Sequence, residues 1–138
     1  MEISQKLTGD TSTPVSQVSS LETLSGQLLK QYQGIETESL LQDLIKKRFC
    51  EKIAVVTSFG ADSAVLLHLV SQISKNTPVI FLETGKHFAQ TLSYRDRLTE
   101  KLGLTDVRSH VPNSNDLSKL DPDGSLWTVD PDQCCHFR

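Results

Sequence analysis

The run Ile53-Ala54-Val55-Val56-Thr57, with Ser58-Phe59-Gly60-Ala61-Asp62-Ser63 directly behind it and an apolar helical segment next, constrains this chain more than any other feature. A short β-branched run that stops at a small polar loop predicts a buried parallel strand. Ala64, Val65, Leu66, Leu67, Leu69, Val70 and Ile73 predict a helix apolar on most of its circumference, as expected of a helix laid on a sheet, with Asp62 or Ser63 as its cap. The pattern then recurs. Thr77-Pro78-Val79-Ile80-Phe81-Leu82 is a second apolar run, ending in Glu83-Thr84-Gly85-Lys86-His87 before Phe88, Leu92, Leu98 and Leu102 at helical spacing. Residues Val107 to Val111 predict a third strand, so the class is α/β with a small parallel sheet. Polar loops at the carboxyl ends of neighbouring parallel strands lie side by side, which is where such folds bind ligands.

The first loop reads as an anion seat. Unpaired N–H groups and the positive end of the helix dipole favour a phosphate or sulfate there, Gly60 lets the backbone approach it, and the Ser58 and Ser63 hydroxyls can donate to its oxygens. No Gly-Lys-Ser/Thr follows at the spacing of a Walker A loop, and a lone glycine excludes the dinucleotide fingerprint. The loop resembles the pyrophosphate-binding loop of the PP-loop superfamily, whose usual form is Ser-Gly-Gly-x-Asp-Ser. Phe59 stands for the first glycine, and Ala61 stands where many ATP-cleaving members carry lysine. That departure favours the sulfonucleotide reductase branch, which binds a nucleotide without splitting ATP. Leu82-Glu83-Thr84-Gly85 resembles the family's Leu-Asp-Thr-Gly motif with Glu for Asp. Its backbone would meet the adenine edge or ribose, and its carboxylate a hydroxyl; the alternative is a turn in which Thr84 and Gly85 serve geometry alone.

The third segment is Asp132-Gln133-Cys134-Cys135-His136-Phe137-Arg138, reached through turns marked by Pro122, Gly124 and Pro131. The planar peptide between adjacent cysteines disfavours a bond between them. Adjacent thiolates can both ligate a metal cluster, and two free buried thiols are the alternative. The stretch resembles the Asp-Gln-Cys-Cys-x-x-Arg segment of adenylyl-sulfate reductases. The resemblance implies that Cys134 and Cys135 hold half of a [4Fe–4S] cluster, the other half coming from a Cys-x-x-Cys pair, in keeping with the four thiolates such clusters take.

In these three segments, from about residue 36 onward, the chain resembles the N-terminal part of an assimilatory sulfonucleotide reductase of the cluster-bearing type that prefers adenylyl sulfate. The fold implied is a partial, truncated doubly wound parallel sheet of the PP-loop (adenine nucleotide alpha hydrolase-like) type. The chemistry implied is attack of a C-terminal cysteine on the sulfur of adenylyl sulfate, releasing AMP, after which thioredoxin or a similar thiol donor releases sulfite. No cysteine follows Cys135, so no catalytic residue is assigned and the chain alone is expected to be inactive. Two other readings stay open: a PP-loop enzyme that cleaves ATP to pyrophosphate in sulfur transfer or amidation, and a non-catalytic nucleotide-binding module.

Composition narrows the setting. The 138 residues suit one domain, with 37% apolar and 6% aromatic content, and a net charge of -3 gives no nucleic-acid footprint. Three cysteines, two of them adjacent, do not make a secreted disulfide framework. With no apolar run long enough to span a membrane and no signal-like or transit-like N-terminus, a cytoplasmic protein is expected, compatible with a homo-oligomer. Residues 1–18 are Ser/Thr-rich and predict a disordered lead. Ser19 and Glu22 suggest a capping box for a helix of Leu21, Leu24 and Leu28 closed near Gly34; Leu40, Leu41, Leu44 and Ile45 mark the next helix. Residues 19–138 then form the N-terminal portion of the nucleotide-binding domain. Cys50 is expected to be a packed thiol and His68 structural. Arg95 and Arg97 should form a solvated face, Lys86 is expected in solvent, and His87 is a weaker ligand candidate. Arg138 falls at the spacing of a basic residue that lies near cluster and substrate in the family.

Overall fold

The computed structural model describes residues 15–138, in two units that divide between Glu36 and Thr37. In the first unit, helix α1 covers Val15–Gln31, with Lys30 placed to complement the dipole in the last turn. The Tyr32 N–H still donates to the Leu28 carbonyl at 2.9 Å before the chain turns through Gly34. Because α1 begins at Val15, Ser19 and Glu22 lie within it and not at its start, as the sequence suggested. Residues 1–14, most of the expected lead, lie outside the described residues.

The second unit is α/β. Helix α2 (Thr37–Asp43) runs into a π-helical turn, Leu44–Arg48, closed by the Phe49 N–H on the Leu44 carbonyl at 2.9 Å. Then follow β1 (Val55–Thr57), α3 (Ala61–Ile73), β2 (Val79–Leu82), α4 (Ala89–Leu102) and β3 (Val107–His110). Three short helices, α5 (Ser114–Leu120), α6 (Leu126–Val129) and α7 (Pro131–Phe137), end the chain. The sheet order is β1-β2-β3, all parallel, with Val55, Val79 and Val107 in one register row and Thr57, Phe81 and Ser109 in another.

Side chains alternate across a strand, so these rows share one face. That face carries the core. Val79, Phe81 and α3's Leu67 are fully buried, with Phe59 and Leu104 beside them and Leu92, Leu98 and Leu102 of α4 packed against the cluster. Both connecting helices therefore cover the same side. On the opposite face Val56 is 63% exposed and Leu82 48%. Helix α3 buries a single stripe, Leu67, Val70 and Ser71, leaving Val65 and Leu66 exposed, where the sequence suggested burial around most of the helix. At the end of α4, Gly103 takes a φ of 66°, its N–H reaching Glu100 and the next N–H reaching Thr99. This left-handed closure needs glycine, and it drops Leu104 into the core.

Four expectations about single residues are corrected. Phe88 caps α4 and is 78% exposed, so the partly buried stripe of that helix starts at Leu92. His68 lies on the outer face of α3, away from the stripe that packs, and Cys50 is exposed. Arg95 is not simply solvated: its guanidinium sits 5.2 Å from the centre of the Phe81 ring and donates to Ser109. An aromatic face in the core supplies the partner that helical spacing alone could not reveal.

Candidate functional site

The loops after β1 and β2 emerge side by side because Thr57 and Phe81 are register partners. In the first loop the cap of α3 is Gly60, in extended conformation and without a side chain to bond the helix. Asp62 and Ser63 lie inside the first turn, so neither is the cap that the sequence suggested. The first-turn N–H groups are thus left to an external acceptor, the condition for an anion seat. A Cβ placed on Gly60 would meet only the Ser58 hydroxyl, at 3.6 Å. The open space there lies on the solvent side, with Ser58, Ala61 and Asp62 all exposed around it.

Phe59 shows how a non-glycine is held in this loop. Its φ of 56° is left-handed, a conformation that costs an L-residue about 1–2 kcal/mol. Its N–H donates to the Thr57 hydroxyl at 2.9 Å, and its ring, 3% exposed, meets Phe81 edge-on with centroids 5.6 Å apart. Burying the ring offsets the strain and pins the loop to the core.

The second loop is internally braced. Glu83 accepts the Gly85 N–H at 2.8 Å, and Thr84 accepts the Lys86 N–H through its hydroxyl. Gly85 takes a φ of 72° that a side chain would strain. One Glu83 oxygen therefore serves the turn. His87 bonds the Leu82 carbonyl at 3.0 Å and tilts against the Phe81 ring, while Lys86 donates to the Gly124 carbonyl. Both are held by the protein itself.

The cysteine pair rides on α7, whose first turn is capped by Asp130 accepting the Gln133 N–H at 3.0 Å. Consecutive helical residues point about 100° apart, so Cys134 is buried while Cys135 is exposed. Arg138, next after the helix, donates to the Thr84 carbonyl and forms an ion pair with Asp121, the two side chains being 8% and 0% exposed. Asp121 also accepts the Leu126 N–H at 2.9 Å. The guanidinium of Arg138, and then that amide, hold the Asp121 carboxyl below the usual carboxylate range. The clamp ties α7 to the second loop across 54 residues of sequence. Between them lies a mostly apolar cleft of ≈ 680 Å³ lined by Leu82, Thr84, Lys86, Phe88, Trp127, Cys134, Cys135 and Arg138.

The structure thus brings the second loop and the cysteine pair together around one cleft. The first loop is not part of its lining; it joins through the Phe59, Phe81 and His87 rings. Asp121 was missed in the sequence, where Asp121-Pro122 reads as a turn and nothing signals a pairing with Arg138. Trp127 and Phe88 were missed as cleft residues for the same reason. Among the described residues no group of three or more His, Cys, Asp or Glu side chains could hold a metal ion. The cleft offers two thiol donors, half of what a four-iron cluster takes. Cys50 cannot join them, since it lies with Ile53 and Pro78 at the amino ends of β1 and β2, the opposite end of the sheet.

Residues 52–138 match the family model described as the phosphoadenosine phosphosulfate reductase domain. The chain is 43% identical over 107 residues to an adenosine 5'-phosphosulfate reductase of Mesorhizobium japonicum, covering 78% of this chain and 42% of that protein. A protein of the same name from Chelativorans sp. is 44% identical over 114 residues, 81% of this chain and 46% of the relative. Another, from Shouchella clausii, is 36% identical over 89 residues. The chain spans less than half the length of these relatives. No helix among the described residues is long and apolar enough to cross a membrane. With a family model covering most of the second unit and a parallel sheet whose strand-end loops carry the expected motifs, this chain belongs to the phosphoadenosine phosphosulfate reductase domain family.

Proposed function

We propose that this chain contributes the nucleotide-binding portion of a cytoplasmic reductase that converts adenylyl sulfate to sulfite and AMP, in sulfate assimilation toward cysteine. The observation that supports it best is the shared cleft, where the loop Leu82–Gly85 and the cysteine helix α7 are clamped together at the carboxyl ends of parallel strands. In this reading the anion of the nucleotide lies on Ser58, Phe59, Gly60, Ala61, Asp62 and Ser63, through backbone N–H groups and the two serine hydroxyls. Leu82, Glu83, Thr84 and Gly85 take the adenine or ribose edge.

Cys134 and Cys135 would supply two thiolates to a [4Fe–4S] cluster, whose other ligands come from outside these 138 residues. A bound cluster would supply metal–thiolate bonds that cross-link α7 to its other ligands. The cysteine that attacks sulfur would likewise come from outside, with thioredoxin or a similar thiol as reductant. What these residues contribute is positioning: a fixed seat that orients the sulfate before reaction.

Titration of the protein with adenylyl sulfate and with its 3′-phosphorylated form tests the substrate. Tighter binding of adenylyl sulfate is expected. Tighter binding of the 3′-phosphorylated nucleotide would overturn the assignment.

A further inference from the structure

The turn after α5 is a junction between α7 and the loop that follows β2. Asp121 bonds Arg138 and the Leu126 N–H through its carboxylate, and its carbonyl accepts the Gly124 N–H at 3.2 Å. The Gly124 carbonyl in turn accepts Lys86 of the loop. The Arg138 guanidinium gives one nitrogen to Asp121 and one to the Thr84 carbonyl, while its buried Nε bonds nothing among the described residues. It also lies beside Gly85, where a Cβ would stand 3.6 Å from Nη1. Arg138 from one side and Lys86 from the other thus tie the loop Leu82–Gly85 to a single turn.

The two ties are unequal. The Lys86 tie is exposed, whereas the side chains of Arg138 and Asp121 are 8% and 0% exposed. A guanidinium so buried stays in place only while a carboxylate faces it. Without the Asp121 charge Arg138 would keep one neutral acceptor, too little to hold the ion out of water, and its departure would free the Thr84 carbonyl and α7 together. We propose that Asp121 is a positioning residue for the nucleotide: through Arg138 it sets the orientation of the loop Leu82–Gly85, so that nucleotide binding and the seating of Cys134 are one linked equilibrium. The inference rests on the reading of that loop as the seat of the adenine or ribose edge.

Linkage is reciprocal. The factor by which a seated α7 strengthens nucleotide binding is the factor by which bound nucleotide suppresses the opening of α7. That opening has its own reporter: Cys134 is buried and reacts only when the helix lifts, while its neighbour Cys135 is exposed throughout.

The test pairs calorimetric titration of the reduced 138-residue chain with adenylyl sulfate and the rates at which iodoacetamide alkylates Cys134 and Cys135, separated by fragment mass spectrometry, with and without saturating nucleotide. In the natural chain the nucleotide should slow alkylation of Cys134 about tenfold, the worth of one hydrogen bond to a charged group. Asp121→Asn should weaken adenylyl sulfate binding by about the same factor and bring the protection of Cys134 close to nil. An Asp121 that served stability alone would lower the melting temperature of that variant and leave both ratios where they were, and plain shielding of Cys134 by the nucleotide would likewise persist in it. Arg138→Lys is the second variant: it keeps a positive charge beside Asp121 and gives up the rigid fork that spans to Thr84, so α7 stays docked while affinity should fall about threefold or more. Unchanged affinity in either variant, or protection of Cys134 that survives Asp121→Asn, would overturn the inference and leave the proposed function standing. Absence of adenylyl sulfate binding in the natural chain would overturn both.

Discussion

Phe59 carries the sharpest residue-level consequence of the fold. In most sites glycine in place of alanine weakens a protein; here the backbone is left-handed, so the order should invert. Phe59→Ala removes the buried ring and keeps the strain, which should cost about 3–5 kcal/mol. Phe59→Gly removes both, and should be the more stable of the two variants by about 1 kcal/mol. Urea denaturation of the pair checks this; an alanine variant as stable as the glycine variant would show that the strain is absent. The sequence showed that Phe59 takes a glycine position in the motif. It could not show how the chain tolerates it, because the answer is a contact with Phe81 in another strand.

The element that decides the site is α7, and its docking rests on charge. The Asp121 carboxyl is held below the ordinary carboxylate range by Arg138 first and by the Leu126 amide second. Its folded pKa is depressed, so the stability it contributes is present above the unfolded value of about 3.9 and is lost as pH falls through the folded one. Fluorescence of the single tryptophan, Trp127, which lines the same cleft, should report release of α7 in acid below about pH 4. In Asp121→Asn, α7 should be loosened already at neutral pH and this acid step should vanish. A step of the same size in that variant would contradict the clamp.

The strands and helices of this unit were legible from alternating and helical periodicity, with ends moved by a few residues. Pro78, for example, stands before β2 and offers only its carbonyl, which accepts the Val55 N–H at 2.9 Å. The short helices after β3 were not legible. Asp121, Asp123 and Asp130 hold those turns by bonds to nearby backbone, and such local bonds leave no period to read.

For the whole molecule, sheet topology separates the cysteines. Cys134 and Cys135 lie at the carboxyl ends of the strands and Cys50 at the amino ends, roughly 10 Å or more away at ~3.3 Å per residue. Anaerobic reconstitution of the 138-residue chain with iron and sulfide should therefore give no chelator-resistant four-iron centre; one such centre per chain would refute this reading of the site. In the proposed function the loop after β1 seats the anion of an adenine sulfonucleotide, and the resemblance of the segment Ser58–Ser63 to a phosphate-binding loop is legible in the sequence alone. Gly60 offers the most direct measurement, because its ordinary φ and open surroundings let a side chain be added without harming the fold. Calorimetric titration with adenylyl sulfate should show at least about tenfold weaker binding in Gly60→Val than in the natural sequence, with an unchanged melting temperature. Equal affinity in the two proteins would show that the anion does not sit on this loop.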